Sequence, residues 1–428
     1  MLTLAIFGAL VGLILFGVPI AVAMGLTAMG AFFLLDEAFV LPMLAQRMYS
    51  ATTGFTLLAI PFFILVGNLM NSGGITRRVF RFAQALVGHF RGGLGHVNVV
   101  SSMIFSGMSG AAVADAAGLG LVEMEAMKKA GYDLRFSAAI TAASATIGPV
   151  VPPSIPFVIY GSMTGESVGR LFLAGFLPGI LMGIAMMVAV YFVARHRGFP
   201  QEKRSTLREL AVSFMESFWA LCMPVLIIGG IMGGFFTPTE AAVVASVYAL
   251  ILGVFVYSEI SPRDLPKIIW ETVVQSVKVL FIIAAAGFLG WLLIHQMIPQ
   301  QVIEGLTALS STKWVLTLII IAILLILGCF LEGIAVLVIT IPVFMPLVEK
   351  IGMDPTQFGV IMILCSMLGL LTPPVGMCLY AVSSITGVSI EKLTKELWPY
   401  LLGIFVVLLL MSYIPPLCLF VPDYFMPR

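Results

Sequence analysis

The chain has 428 residues, of which 60% are hydrophobic and 10% charged. Soluble domains carry about 25% charged residues, so this composition cannot cover a water-soluble globule and predicts a polytopic membrane protein. A net charge of +1 gives no basic field for nucleic acid. Five scattered cysteines (Cys222, Cys329, Cys365, Cys378, Cys418) make neither a disulfide framework nor a CxxC metal site, and no GxxxxGK[ST] string supplies a P-loop ATPase.

A membrane span needs about 20 apolar residues. Apolar blocks run near 1–34, 52–72, 97–127, 136–165, 171–194, 211–258, 271–298, 314–348, 357–386 and 397–421. No basic residue precedes Arg47, so the first block lacks the n-region of a cleaved signal and reads as a retained membrane helix. Asn68 and Asn71 fall at the end of the second block and suit a helix cap. The third holds a run of small residues, Phe105-Ser106-Gly107-Met108-Ser109-Gly110-Ala111-Ala112, and the fourth is cut by Thr146, Gly148, Pro152, Pro153 and Ser154. In the 211–258 block, Thr237-Pro238-Thr239-Glu240 reads as a helix N-terminus, where Glu240 suits the helix dipole as well as it suits a functional role. Lys278 and His295 sit toward the ends of the 271–298 block, placed to snorkel. The 314–348 block carries a second small-residue tip, Leu327-Gly328-Cys329-Phe330-Leu331-Glu332-Gly333, and the 357–386 block a second cut at Gly369, Thr372, Pro373 and Pro374.

Basic residues sort by loop. Arg77, Arg78, Arg81 and Arg91, then Lys128, Lys129 and Arg135, then Arg195, Arg197, Lys203, Arg204 and Arg208, then Arg263 with Lys267 and Lys392 with Lys395, make up sixteen of the 22 Lys and Arg. The positive-inside rule places these in the cytoplasm. Both ends of the 97–127 block are then cytoplasmic, which makes it a re-entrant hairpin; the 314–348 block, with sparse loops, enters from the other side. Both termini fall outside, in the periplasm of a Gram-negative host.

An internal repeat organises the rest. Gly148, Pro152-Pro153, Thr164-Gly165, Ser167 and Leu171 reappear as Gly369, Pro373-Pro374, Thr386-Gly387, Ser389 and Leu393, 221 residues on at the prolines and 222 after them. Gly131 and Asp133 match Gly352 and Asp354, and Pro19 answers Pro238. Opposite sidedness makes the repeat inverted, a pattern of secondary transporters. The expected fold is therefore all-α, with a first repeat over 1–194, a cytoplasmic linker over 195–210 and a second repeat over 211–428, each with scaffold helices, a re-entrant hairpin and a broken helix.

The tips and breaks are where chemistry is expected. Unwound backbone at membrane depth offers carbonyl oxygens that replace the water around a cation, and proline frees a carbonyl upstream. Such a cage suits sodium, while half-helix N-termini suit a substrate carboxylate. Small residues at the tips also serve close helix packing. Asp115 and Glu332 are intramembrane carboxyls, either coupling-ion groups or structural partners. Gly107-Met108-Ser109-Gly110 also fits the G-x-S-G string of rhomboid-type intramembrane proteases. That alternative needs a histidine beside Ser109, and the four histidines (His89, His96, His196, His295) are poorly placed for it. The chain reads as a transporter and not an enzyme.

GVPIAVAMGL at 17–26, IPFFILVGNLMNSGGI at 60–75, SGMSGAAVADAAGLG at 106–120, IGPVVPPSIPFVIYG at 147–161, GGFFTPTEAAVVASVYAL at 233–250 and LLTPPVGMCLYAVSSITG at 370–387 resemble the large membrane subunit of TRAP transporters over essentially the whole chain. The resemblance implies sodium-driven, ATP-independent uptake of small organic anions across the bacterial inner membrane, with no organic cofactor. It implies two partners, a periplasmic binding protein and a small four-helix membrane subunit, and an elevator mechanism with a static scaffold and a moving transport domain. It points to the sialic-acid branch or to dicarboxylates. Carried over by position, Ser109 and Ser154 resemble the substrate-holding serines. Ser106, Gly107, Gly148 and Val150 correspond to one sodium site, and Gly328, Gly333, Gly369 and Thr372 to the other. Val375 stands where the repeat would repeat Ser154, so the substrate site is expected to lean toward the first repeat.

Overall fold

The computed structural model describes residues 2–427 apart from 110, 111, 200 and 202, and side chains apart from those of 38, 106–109, 114 and 117. Among the described residues every regular element is a helix. The first apolar block is two helices and not one: α1 (Leu2–Leu15) and α2 (Ile20–Leu34), divided at Gly17, whose φ of 83° ends the first, and Pro19, which caps the second. Then come α3 (Met43–Thr52), α4 (Ala59–Ser72) and the amphipathic α5 (Ile75–Val87). Asn68 does not cap α4; its Nδ2 donates to Thr272 Oγ1 at 2.9 Å, and the helix ends instead at Gly73.

The 97–127 block comprises α6 (Gly93–Ser109), α7 (Ala112–Ala117) and α8 (Leu119–Lys129). The 136–165 block is a broken helix, α9 (Leu134–Ala145) and α10 (Ile155–Thr164). Two long helices follow, α11 (Val168–Arg197) and α12 (Leu207–Met232). They consume both ends of the expected 195–210 linker, because a Thr206–Glu209 capping box starts α12 early, leaving a connection of 198–206. The same device starts α13 (Pro238–Ile251): the Thr237 amide donates to Glu240 Oε2 at 2.7 Å and the Glu240 amide to Thr237 Oγ1 at 3.3 Å. Glu240 is thus a capping residue.

The chain continues with α14 (Leu265–His295) and α15 (Ile298–Leu309), then α16 (Lys313–Phe330) and α17 (Gly333–Lys350), the arms of the second tip. A second broken helix, α18 (Pro355–Gly369) and α19 (Met377–Thr386), precedes α20 (Ile390–Tyr413) and α21 (Pro415–Phe425). Eight helical segments among the described residues are long and apolar enough to cross a membrane. With α16 and α17 among them at 18 residues each, about 27 Å long, the re-entrant reading of that hairpin rests on loop charge and not on arm length.

Packing falls into two zones. In one, α14 lies along α2, α3 and α4, and α4 lies along α13. In the other, the arms of each tip pack on the broken helix of the same half: α6 and α8 on α9, and α16 and α17 on α18. His295, near the end of α14, has its Nε2 3.3 Å from Glu37 Oε2, while Lys278 is exposed. Apolar side chains such as Trp270 and Phe192 remain outward, as a chain immersed in lipid allows.

The C-terminal helix is held by one buried cation. The Arg170 guanidinium in α11 donates to Asp423 Oδ1 at 2.6 Å and to the Met426 carbonyl. Arg170→Ala removes both charge-assisted bonds, an expected loss of about 2 kcal/mol, read as a lower melting temperature in detergent and earlier digestion of α21. Unchanged melting would place the anchor elsewhere.

Candidate functional site

The first break is built by side chains that bond to the backbone. Thr146 ends α9 with its hydroxyl donated to the Ala143 carbonyl at 2.6 Å, and residues 147–151 continue as tight turns. The Pro152-Pro153 bond is cis. Ser154 then caps α10: its Oγ accepts from the Phe157 amide at 3.3 Å and donates to the Pro149 carbonyl, so one hydroxyl starts the helix and closes the loop. Ser154 is fully buried. Against this loop α7 lays Asp115, itself buried; a Cβ at Gly148 would stand 2.6 Å from Asp115 Oδ2. The Val150 carbonyl turns to α11, where a Cβ at Gly175 would stand 2.4 Å from it.

A polar network missed in the sequence lies beside this break. Asn98 Nδ2 donates to Thr141 Oγ1 at 2.8 Å, and Ser144 Oγ donates to Asn98 Oδ1 at 2.6 Å, tying α6 to α9. Ser101 Oγ donates to Glu123 Oε1 and ties α6 to α8. All five side chains are buried. The signal was present as polar pairs three apart on two helices, Asn98 with Ser101 and Thr141 with Ser144, together with a lone acid at Glu123.

The second break meets its tip directly. The Cys329 carbonyl accepts from the Val375 amide at 3.2 Å and the Gly376 amide at 3.4 Å. Gly376 has a φ of 58°, which favours glycine. Gly369 and Gly328 bring backbone against backbone: a Cβ at Gly369 would stand 2.4 Å from the Gly328 carbonyl carbon. The Thr372 hydroxyl donates to the Leu368 carbonyl at 2.7 Å, and Pro373-Pro374 is cis. Glu332 is half-buried at the N-cap position of α17 with no cap bond from its side chain, and Gly333 lies next to Ser366 and Met367.

The two halves interlock crosswise. Helix α19 packs on α7 and α9, and α10 packs on α17. Tyr160 Oη in α10 donates to the Pro355 carbonyl at the start of α18, 2.6 Å away.

The predicted residues are therefore brought together unevenly. Gly148 meets Asp115, and Gly328, Gly369 and Thr372 share the second break. Ser106, Gly107 and Ser109 are on helical backbone at the end of α6 and not on an unwound tip; their side chains, with Gly110 and Ala111, lie outside the described residues. Among the described residues no group of three His, Cys, Asp or Glu side chains is set to hold a metal. The donors gathered here are carbonyls and hydroxyls, the set that replaces an alkali cation's water. Of the histidines the protease alternative would need, His96 is thirteen residues from Ser109, about 20 Å along one helix, and His295 faces Glu37.

Comparison with known proteins agrees with this architecture. The family model of the tripartite ATP-independent periplasmic transporter, DctM component, matches residues 7–417. The sialic acid TRAP transporter large permease protein SiaM of Vibrio cholerae is 44% identical over 422 residues, 99% of this chain and 98% of that protein. The C4-dicarboxylate TRAP transporter large permease protein DctM of Rhodobacter capsulatus is 35% identical over 437 residues, 99% of each. Among solved structures, the YdaH transporter of Alcanivorax borkumensis shares the fold with a TM-score of 0.63 at 14% identity, covering 88% of each chain.

Both close approaches make stability predictions. Gly148→Ala and Gly369→Ala each overpack a break, at a cost of about 1–3 kcal/mol. Gly369→Ala is expected to be the worse because its obstacle is backbone, whereas Gly148→Ala recovers in part when Asp115→Ala is added. Melting in detergent checks both; equal losses, or no recovery in the double variant, would contradict the geometry.

Proposed function

The chain belongs to the DctM-component family of tripartite ATP-independent periplasmic transporters, as a large permease subunit, and from that premise we propose that it takes up a small organic anion coupled to sodium. The observation that carries this reading is the crosswise junction. Each interrupted helix packs on the arms of the tip in its own half, and α19 and α10 cross to the other half, onto α7 and α9 and onto α17. Sodium ions are cargo here, held at the first break by Ser106, Gly107 and Gly148, with Val150 supporting the loop, and at the second by Gly328, Gly333, Gly369 and Thr372.

Sodium binding orders the tips and completes an anion site at Ser109 and at the amide end of α10 that Ser154 caps. Ordering by the first ligand lowers the cost of binding the second, which is coupling in the linkage sense. The two halves of the chain act as an inverted repeat, and the loaded domain, roughly 80–165 with 300–387, slides as an elevator against the remaining helices. Asp115 and Glu332 tune the cation sites.

A periplasmic binding protein delivers the anion and a small four-helix membrane subunit completes the permease, in the inner membrane with both termini periplasmic. A sialic acid is favoured as cargo over a C4-dicarboxylate, since the sialic acid relative is 44% identical and the dicarboxylate relative 35%.

Proteoliposomes holding the permease, its small subunit and the binding protein test this. Uptake is expected with an inward sodium gradient and not with a proton gradient or ATP alone. Ser109→Ala is expected to lower uptake about tenfold, the scale of one lost charge-assisted hydrogen bond, with no change in melting. Sodium-independent flux would overturn the coupling, and full uptake by Ser109→Ala would overturn the anion site.

A further inference from the structure

Glu123 is a buried acid that the transport scheme does not use. It lies on α8, 1% exposed, and its Oε1 is hydrogen-bonded to Ser101 Oγ on α6. Ser101 Oγ also lies 3.2 Å from the Asn98 carbonyl. A serine hydroxyl carries one proton. An ionised Glu123 would take that proton and keep its negative charge in an apolar interior. A neutral Glu123 brings a proton of its own, so the pair can share the hydrogen bond in either direction with no net charge. The neutral acid keeps its bond to Ser101 without burying a charge, which the carboxylate cannot do.

The surroundings favour the same form. Burying an unpaired carboxylate is costly, and among the described residues no Lys, Arg or His forms an ion pair with Glu123. The elements against α8 are α5, α6, α7 and α9. From α7 comes Asp115, a second acid acting on Glu123. On α5, Arg78 and Arg81 bind Glu259 and Glu216, and Arg77 is exposed. On α6, His96 lies edge-on to Phe90. At the start of α9, Asp133 pairs with Arg197 and Arg135 is exposed. On α8 itself, Lys129 pairs with Glu125. No cation is directed at the Glu123 carboxyl from any of these elements among the described residues.

We propose that Glu123 works as a neutral carboxylic acid that pins α8 to α6, and that this bond, continued through Asn98 to Thr141 and Ser144 on α9, positions the end of α6 against the first helix break. It is a positioning residue. Losing its proton leaves an uncompensated charge between α8 and α6, which loosens the two helices. Transport then carries an alkaline limit set inside the first hairpin. The lock does not depend on the cargo; its effect on uptake rests on the transport reading above.

Three readouts test it on the full chain. Infrared spectra of the purified protein at neutral pH are expected to show the carbonyl stretch of a buried carboxylic acid that disappears in Glu123→Gln. Glutamine supplies a neutral N–H donor at the same reach, so Glu123→Gln is expected to melt like the parent chain, keep uptake within about twofold and lose the alkaline decline; Glu123→Ala is expected to lose about tenfold and melt earlier. Absence of the acid band, or Glu123→Gln as damaged as Glu123→Ala, would overturn the proposal. Were the parent chain itself to take up no anion at any pH, the transport reading would fail, while the infrared band and the melting order would still decide for or against the lock.

Discussion

In hydrocarbon an unpaired amide or carbonyl costs several kcal/mol, so a helix interrupted at membrane depth survives only where protein replaces the missing bonds. Both interrupted helices meet that constraint with very few atoms. At the second, one carbonyl, that of Cys329, takes the two amides released at Val375 and Gly376. At the first, one hydroxyl, that of Ser154, caps α10 and holds the Pro149 carbonyl. The neighbouring small residues follow from this. Gly369 against Gly328, and Gly148 against Asp115, exist because a break must be approached closely to be satisfied. Irregular backbone that is satisfied but not saturated still presents oxygens, which is the ground on which we propose the breaks as cation sites.

The scarcity of charge acquires a second meaning here. Among the described residues, ion pairs between helices serve assembly: Arg170 holds the C-terminal helix, and Arg197 joins Glu396 and Asp133. Among the described residues, the carboxyls of Asp115, Glu123 and Glu332 lie inside the fold, on the arms or at the tip of the two hairpins. Hydroxyls and amides do most of the polar work, because they organise backbone without the desolvation cost of a full charge.

Much of this was legible in the chain. The Pro-Pro pairs with their upstream glycines locate both breaks, Thr237-Pro238-Thr239-Glu240 locates a helix start, and the apolar blocks predict an all-helical membrane protein. Other features were hidden for identifiable reasons. The 1–34 block reads as one helix because a single Gly17 and Pro19 are weak punctuation in an apolar run. Asn68 looks like a cap because its partner, Thr272, is 204 residues away. The first tip reads as unwound because Ser106 and Gly107 are poor helix formers, yet α6 holds them helical. The Asn98, Ser101, Glu123, Thr141 and Ser144 network depends on three helices meeting, and no single window of sequence contains it.

The central claim is that the loops at 146–153 and 370–376 are the cation-binding centres of a transporter. Hydrogen–deuterium exchange on the reconstituted permease, in sodium and in choline at equal ionic strength, addresses it most directly. Sodium is expected to slow exchange at both loops while leaving the α4–α13–α14 packing unchanged; equal exchange in the two salts at both loops would contradict it.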